Sequence, residues 1–338
     1  MINIETSIIF CQSAIKVSAV LVCYEYEKSK GHNVIIIVRN VKSIYDFVQS
    51  LSLDADVIWF DNYPCDFYSL LRQKKMKSFV EHQMSMIPLK ESIIGNVYFT
   101  SICHDVPMCC YLSRFPKEKI IKLQGWLDIS NNIDAYTLPK VAYSLRWKAK
   151  CFFYSLFLHY RLRLQTVVSP ALAIDIGYYR FPLFNGSDTS VCDSYLYMPK
   201  GKKGKNALVF ASEYVDVFKD RSDYVYSFVS CIRRLKKEGY SVYLKGHPRI
   251  GTLPEAIEEA DDEIPSYVPA EFLDYTFFSS AFGLTSSAIC SSSAYIPSYS
   301  LLPLTKLVND ENYTGWCDYL NKTSGGKVKY LNSLDDIS

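Results

Sequence analysis

A histidine stands between a lysine and an arginine in KGHPR, residues 245–249, directly after the strand-like run YSVYLK. An imidazole so placed can give a hydrogen bond or a proton to an anion, and the flanking Lys245 and Arg249 favour that anion. Further on, in YVPAEFLDYT, Pro269 suits the first turn of a helix and brings Glu271 into the same turn. That carboxylate either accepts from ligand hydroxyls or is a helix-start acid favoured by the helix dipole. In SSAFGLTSSAICSSS a small-residue strand runs through Thr285 into Ser286 and Ser287, and a helix follows. Hydroxyls beside unpaired first-turn amides make an anion cradle; the other reading is an ordinary serine cap. In this order the three groups describe a nucleoside monophosphate held at both ends, with Lys245, His247, Ser286 and Ser287 on the phosphate and Glu271 on the ribose hydroxyls.

The elements that must position these groups are legible as an alternation. TSIIFCQ, NVIIIVRN, DVIWFDN, NVYFTSI and KIIKLQG are short apolar runs separated by helical patterns, the rhythm of a mostly parallel sheet with crossover helices. Residues 13–31 carry helical periodicity and stop at Gly31. Lys and Gly then dominate YMPKGKKGKN, and the strand-helix alternation restarts in NALVFASEY and SDYVYSFVSCIRRLKKEG. The expectation is an α/β chain of two Rossmann-like domains, 1–196 and 207–338, joined by a linker at 197–206; a long surface loop is the other reading of that stretch. Lys245, Gly246 and His247 then fall at the C-terminal edge of a strand, where open α/β sheets bind ligands.

Composition narrows the classes. At 338 residues the chain is long enough for two cores, and 49% hydrophobic against 21% charged residues suits a globular protein. The 37 basic and 35 acidic side chains nearly cancel, so no nucleic-acid partner is expected. The 27 tyrosines and 19 phenylalanines suit cores and stacking surfaces. Eleven cysteines show no CxxC spacing, which argues against a zinc ribbon and, with no signal peptide, for a reducing, cytoplasmic setting. No apolar run is long enough to span a bilayer. The segment 141–165, with Arg146, Lys148, Lys150, Arg161 and Arg163 among aromatic residues, reads either as a peripheral contact with the cytoplasmic face of the inner membrane or as a half-buried helix with snorkelling basic side chains.

KGHP at 245–248, PAE at 269–271 and SS at 286–287 resemble, in type and order, the Lys-x-His-Pro, Pro-x-Glu and Ser-Ser motifs of the bacterial sialyltransferases and polysialyltransferases of GT-B fold. The opening run IIFCQSAIKVSAVL and the pair NVYFTSI and KIIKLQG are similar as well. The resemblance implies two Rossmann-like domains facing a central cleft, with an N-terminal acceptor domain and a C-terminal donor domain. It implies a cytoplasmic bacterial enzyme of polysaccharide biosynthesis that uses CMP-sialic acid and transfers the sugar, with inversion, to a hydroxyl of a surface glycan. His247 would be the general acid at the donor phosphate, Glu271 the ribose ligand, and Ser286 and Ser287 phosphate ligands. Lys245 adds charge stabilisation, so neither a metal nor another cofactor is expected to be obligatory.

One departure bears on catalysis. Where that family carries an acidic-acidic-Gly motif, this chain has Leu123 and Gln124 before Gly125, and an amide cannot take a proton as a carboxylate does. Asp128, and His104 with Asp105 in ICHDVP, are the candidates for the missing base. The rival readings are a transferase for Kdo, pseudaminic or legionaminic acid, a CDP-polyol phosphotransferase, a UDP-sugar 2-epimerase, and a CMP-sugar binder without catalysis.

Overall fold

The computed structural model describes residues 5–13, 16–62, 70–89, 93–100, 106–112, 114–124, 182–186 and 188–337. The chain divides into two units, Met1–Ser194 and Tyr195–Ser338.

In the first unit, β1 (Glu5–Cys11), β2 (Asn33–Arg39), β3 (Asp56–Phe60), β4 (Ile93–Phe99), β5 (Ile120–Gln124) and β6 (Leu183–Asn185) form one parallel sheet in the order β3-β2-β1-β4-β5-β6. The apolar runs are uninterrupted because a parallel sheet is covered on both faces. Helix α1 (Val17–Ser29) packs on β1 and β2. Ile8, Phe10, Ile35, Ile37, Val97 and Phe99 make a core with Val80 of α3 (Leu70–Ser85) and with Met108, Tyr111 and Leu112 of α4 (Val106–Leu112). Helix α2 (Lys42–Ser50) buries Ile44, Phe47 and Val48.

The second unit repeats this plan. Its strands are β7 (Asn206–Phe210), β8 (Ser241–Lys245), β9 (Asp262–Ile264), β10 (Ser280–Gly283), β11 (Ser298–Ser300) and β12 (Val328–Tyr330), all parallel, in the order β12-β11-β10-β7-β8-β9. Read from β9, both sheets have the doubly wound order 3-2-1-4-5-6, with the switch of direction between β1 and β4 and between β7 and β10. The expected α/β class with two Rossmann-like halves is therefore what the chain adopts. Helix α5 (Arg221–Lys237) starts at Asp220, whose carboxylate accepts from the Ser222 amide at 2.6 Å. It buries Tyr224, Phe228, Ile232 and Leu235, each large apolar side chain worth about 1.5–3 kcal/mol. Helices α6 (Pro254–Glu259), α7 (Ser287–Ser292) and α8 (Asp310–Ser324) complete the unit.

The stretch 197–206 lies within the second unit and is tied to it. Tyr197 exchanges main-chain hydrogen bonds with Phe272 and Asp274, and Lys203 Nζ donates to the Thr276 hydroxyl at 3.1 Å. The amphipathic segment 141–165 lies outside the described residues. Among the described residues no helix is long and apolar enough to cross a membrane. Described cysteines are buried except the half-buried Cys317, and burial pushes the Cys11 thiol up to about 12.

Candidate functional site

Strand β8 ends on Lys245, whose side chain is buried. Its ammonium donates to the carbonyl of Gly246 at 2.7 Å and to that of Ser266 at 3.2 Å. Burial lowers Lys245 to about 8, with Glu263 and Glu271 opposing the fall. Lys245 thus joins the histidine loop to the segment that carries Glu271, and its charge acts through space rather than from an outward-facing tip.

His247 is exposed just beyond that strand end. Its main-chain N–H and carbonyl both pair with Gly251, at 3.0 and 2.9 Å, closing a short loop. Inside the loop, His247 Nδ1 accepts from the Arg249 amide at 3.1 Å. Partial desolvation of the ring, then the Lys245 and Arg249 charges, lower its pKa. Two glycines make the loop possible. Gly251 has φ +88°, and a Cβ on Gly246 would lie 2.9 Å from the Thr252 Cα.

Glu271 sits in a single 3-10 turn, Ala270–Phe272, entered from Pro269. The expected helix start is only this turn, and it lies in the connection between β9 and β10 rather than at a strand end. A helix dipole therefore contributes little here. Solvent reaches Glu271, yet protein crowds its carboxyl: desolvation raises it to about 7, against its own backbone N–H and Lys245, which lower it. Tyr275 Oη donates to the Ala270 carbonyl at 2.8 Å and its ring stacks on Tyr295, bracing the turn.

Strand β10 is followed by Ser286, the N-cap of α7, with Oγ accepting from the Ala288 amide at 3.2 Å. The Ser286 hydroxyl retains its own proton to donate. Ser287 is exposed at the first helical position, and its hydroxyl pairs with Tyr319 of α8. Helix α7 packs against the Glu271 turn.

The structure therefore places His247 and Ser286 beyond strands that flank β7, couples Lys245 electrostatically to both His247 and Glu271, and sets the Glu271 turn beside the serine-capped helix. Sequence reading missed the Ser266 carbonyl and the Arg249 amide, which are main-chain partners without a residue-type signal; the glycines at 246 and 251 were the available clue. Asp128, His104 and Asp105 lie outside the described residues. Gln124 is the last residue of β5, half-buried, and its carbonyl accepts from the Gly186 amide at 2.8 Å. Among the described residues no three His, Cys, Asp or Glu side chains gather as metal ligands.

Fold and site define an α/β protein of two Rossmann-ordered units, the second carrying an imidazole, a carboxyl and capping hydroxyls beside its switch point. No family model and no curated protein matches the chain. Among solved structures it is similar to the glycotransferase of kitacinnamycin, at 10% identity and TM-score 0.47, over 98% of this chain and 86% of that one. It is also similar to the glycosyltransferase SnogD from Streptomyces nogalater, at 9% identity and TM-score 0.48, over 97% and 86%. S. aureus MnaA, solved with UDP, matches at 12% identity and TM-score 0.42, over 98% and 94%. These likenesses are distant, and the functional reading stands on this chain's own residues.

Proposed function

We propose that the protein is an inverting glycosyltransferase that takes sialic acid, or a related nonulosonic acid, from its CMP ester and passes it to a hydroxyl of a glycan. The observation that supports this reading is Lys245, whose buried ammonium bonds to the Gly246 carbonyl beside His247 and to the Ser266 carbonyl of the segment leading to Glu271, and whose charge acts on both side chains. The choice of cytidine and of an acidic sugar rests on the resemblance of KGHP, PAE and SS, in that order, to the sialyltransferase motifs.

In the reaction the bond between the anomeric carbon and the phosphate oxygen breaks, the acceptor oxygen bonds to the opposite face of that carbon, and its proton passes to a base. CMP leaves with the bonding electrons, and His247 and Ser286 stabilise the charge that develops on its phosphate. Asp128 and Asp105 remain the proposed bases. Gln124, an amide at the end of β5, favours a second reading, a CMP-sugar binder without turnover. Release of CMP from CMP-sialic acid, followed with and without a galactoside, separates the two. Release that needs the acceptor supports transfer; tight CMP binding with no release supports the binder; neither binding nor release overturns both.

Glu271 gives this reading a pH signature. A carboxylate can accept from both ribose hydroxyls, whereas the acid accepts at its carbonyl oxygen alone and turns the other oxygen into a donor, so the deprotonated form binds better. With Glu271 at about 7, affinity should rise with pH through neutrality and level off above it. Cytidine is the cleaner probe, because the phosphate of CMP itself titrates near ~6. Its dissociation constant, read by calorimetry, should weaken as pH falls below neutrality, by up to about tenfold per unit, and Glu271→Gln should bind weakly with a flat profile. A flat wild-type profile would remove Glu271 from the ribose.

A further inference from the structure

The loop that holds His247 does more than point it outward. Pro248 has no N–H, so the Arg249 amide is the first main-chain donor after the histidine, and it is spent on Nδ1 at 3.1 Å. An amide N–H cannot accept, so Nδ1 must be the unprotonated nitrogen and the neutral ring carries its proton on Nε2. Protonating Nδ1 would set two donors head to head and abolish that bond, while Arg249 and the buried Lys245 ammonium already oppose a further positive charge. The loop's main chain is itself held in place. Reciprocal main-chain bonds join His247 to Gly251, Gly251 holds φ +88°, and Gly246 lies against Thr252, whose hydroxyl is itself bonded to Glu263.

We propose that this loop locks His247 as the Nε2–H tautomer, so that it acts as a neutral hydrogen-bond donor to the leaving phosphate and does not deliver its proton, with the Arg249 main chain and Gly251 as its positioning groups. The role toward phosphate rests on the function proposed above; the locked tautomer does not. The chemistry needs no more than a donor. A phosphate monoester has its second pKa near ~6, so CMP departs as a stable anion at neutral pH without being protonated.

The chain has five histidines, so a long-range 15N–1H correlation spectrum of the chain labelled at histidine can resolve His247, identified by the signals missing from His247→Gln. The expected pattern at neutral pH is a bare Nδ1 and a protonated Nε2. Gly251→Ala, which loosens the loop, should add signals of the other tautomer. An Nδ1–H tautomer or an imidazolium at neutral pH overturns the proposal whatever the enzyme does. The second arm is turnover of CMP-sialic acid. A glutamine at 247 can present an amide N–H near the Nε2 position but cannot act as an acid. His247→Gln should therefore stay within about tenfold of wild type in kcat, against a loss of about 10² for His247→Ala. A glutamine variant as slow as the alanine variant overturns the donor role. If the wild-type protein does not turn over, the glycosyltransferase reading fails and the spectrum alone decides the tautomer.

Discussion

Under the proposed function, replacing His247 by alanine should slow turnover of a CMP-activated sugar by about 10²-fold, with KM changing much less. The asymmetry follows from when charge appears. In the bound donor the phosphate carries one charge shared over its free oxygens. As the glycosidic bond lengthens, a second charge gathers on the bridging oxygen, and a fixed N–H aimed there stabilises the transition state more than the ground state. The substitution should leave the fold intact, because the His247 side chain is exposed and the loop is closed by main-chain bonds to Gly251. Thermal unfolding should stay within about 0.5 kcal/mol of wild type. Steady-state kinetics beside a melting curve test this, and near-normal kcat in a well-folded variant would show that His247 does not touch the leaving group.

A second large effect is expected far from the site, in the first unit. Glu27, near the end of α1, has a fully buried side chain. Its Oε2 accepts from Ser7 at 2.5 Å and pairs with His32 Nδ1 at 2.7 Å, and its Oε1 accepts from Tyr98 at 2.6 Å, Asn96 at 3.2 Å and Lys30 at 3.2 Å. Burial alone would raise this carboxyl, but the hydrogen bonds from Ser7, Tyr98, His32 and Asn96 outweigh it and hold Glu27 at about 2. Its folded value lies below its unfolded one, so its contribution of about 3 kcal/mol is complete above pH ~4.5 and is lost as pH falls toward 2. Glu27→Gln would turn an NH2 toward groups that are themselves donors, and should cost about 3 kcal/mol at neutral pH. Hydrogen exchange at Ile35, Ile36 and Ile37 of β2 reads this unit alone, and about 10²-fold lost protection is the expected result. Unchanged protection would mean the network contributes nothing net.

The two networks differ in how readily sequence discloses them. His247 and the paired serines follow regular strand patterns, so periodicity located them at strand ends, whereas Glu271, expected at a helix start, sits in a lone 3-10 turn. Many strands and helices were legible too: an apolar run covered on both faces, as in NVIIIVRN of the first unit, or the spacing of Tyr224, Phe228, Ile232 and Leu235 in the second, records burial directly, while the three-residue strands β9, β11 and β12 are too short to show a period. Glu27 gave no such signal, since YEYEKSK reads as a polar helix end and its partners are scattered from Ser7 to Tyr98.

The amino-acid order alone set most element types, the two alternations that become two sheets, and the residue types on which the proposed function rests, because these depend on local periodicity and side-chain chemistry. Tertiary structure decided that Lys245 is a buried strut between two carbonyls, that Glu271 occupies a lone 3-10 turn, and that the Arg249 amide fixes one nitrogen of His247. Those outcomes rest on main-chain donors and acceptors, which every residue carries alike, so only their positions in space can say which of them meet.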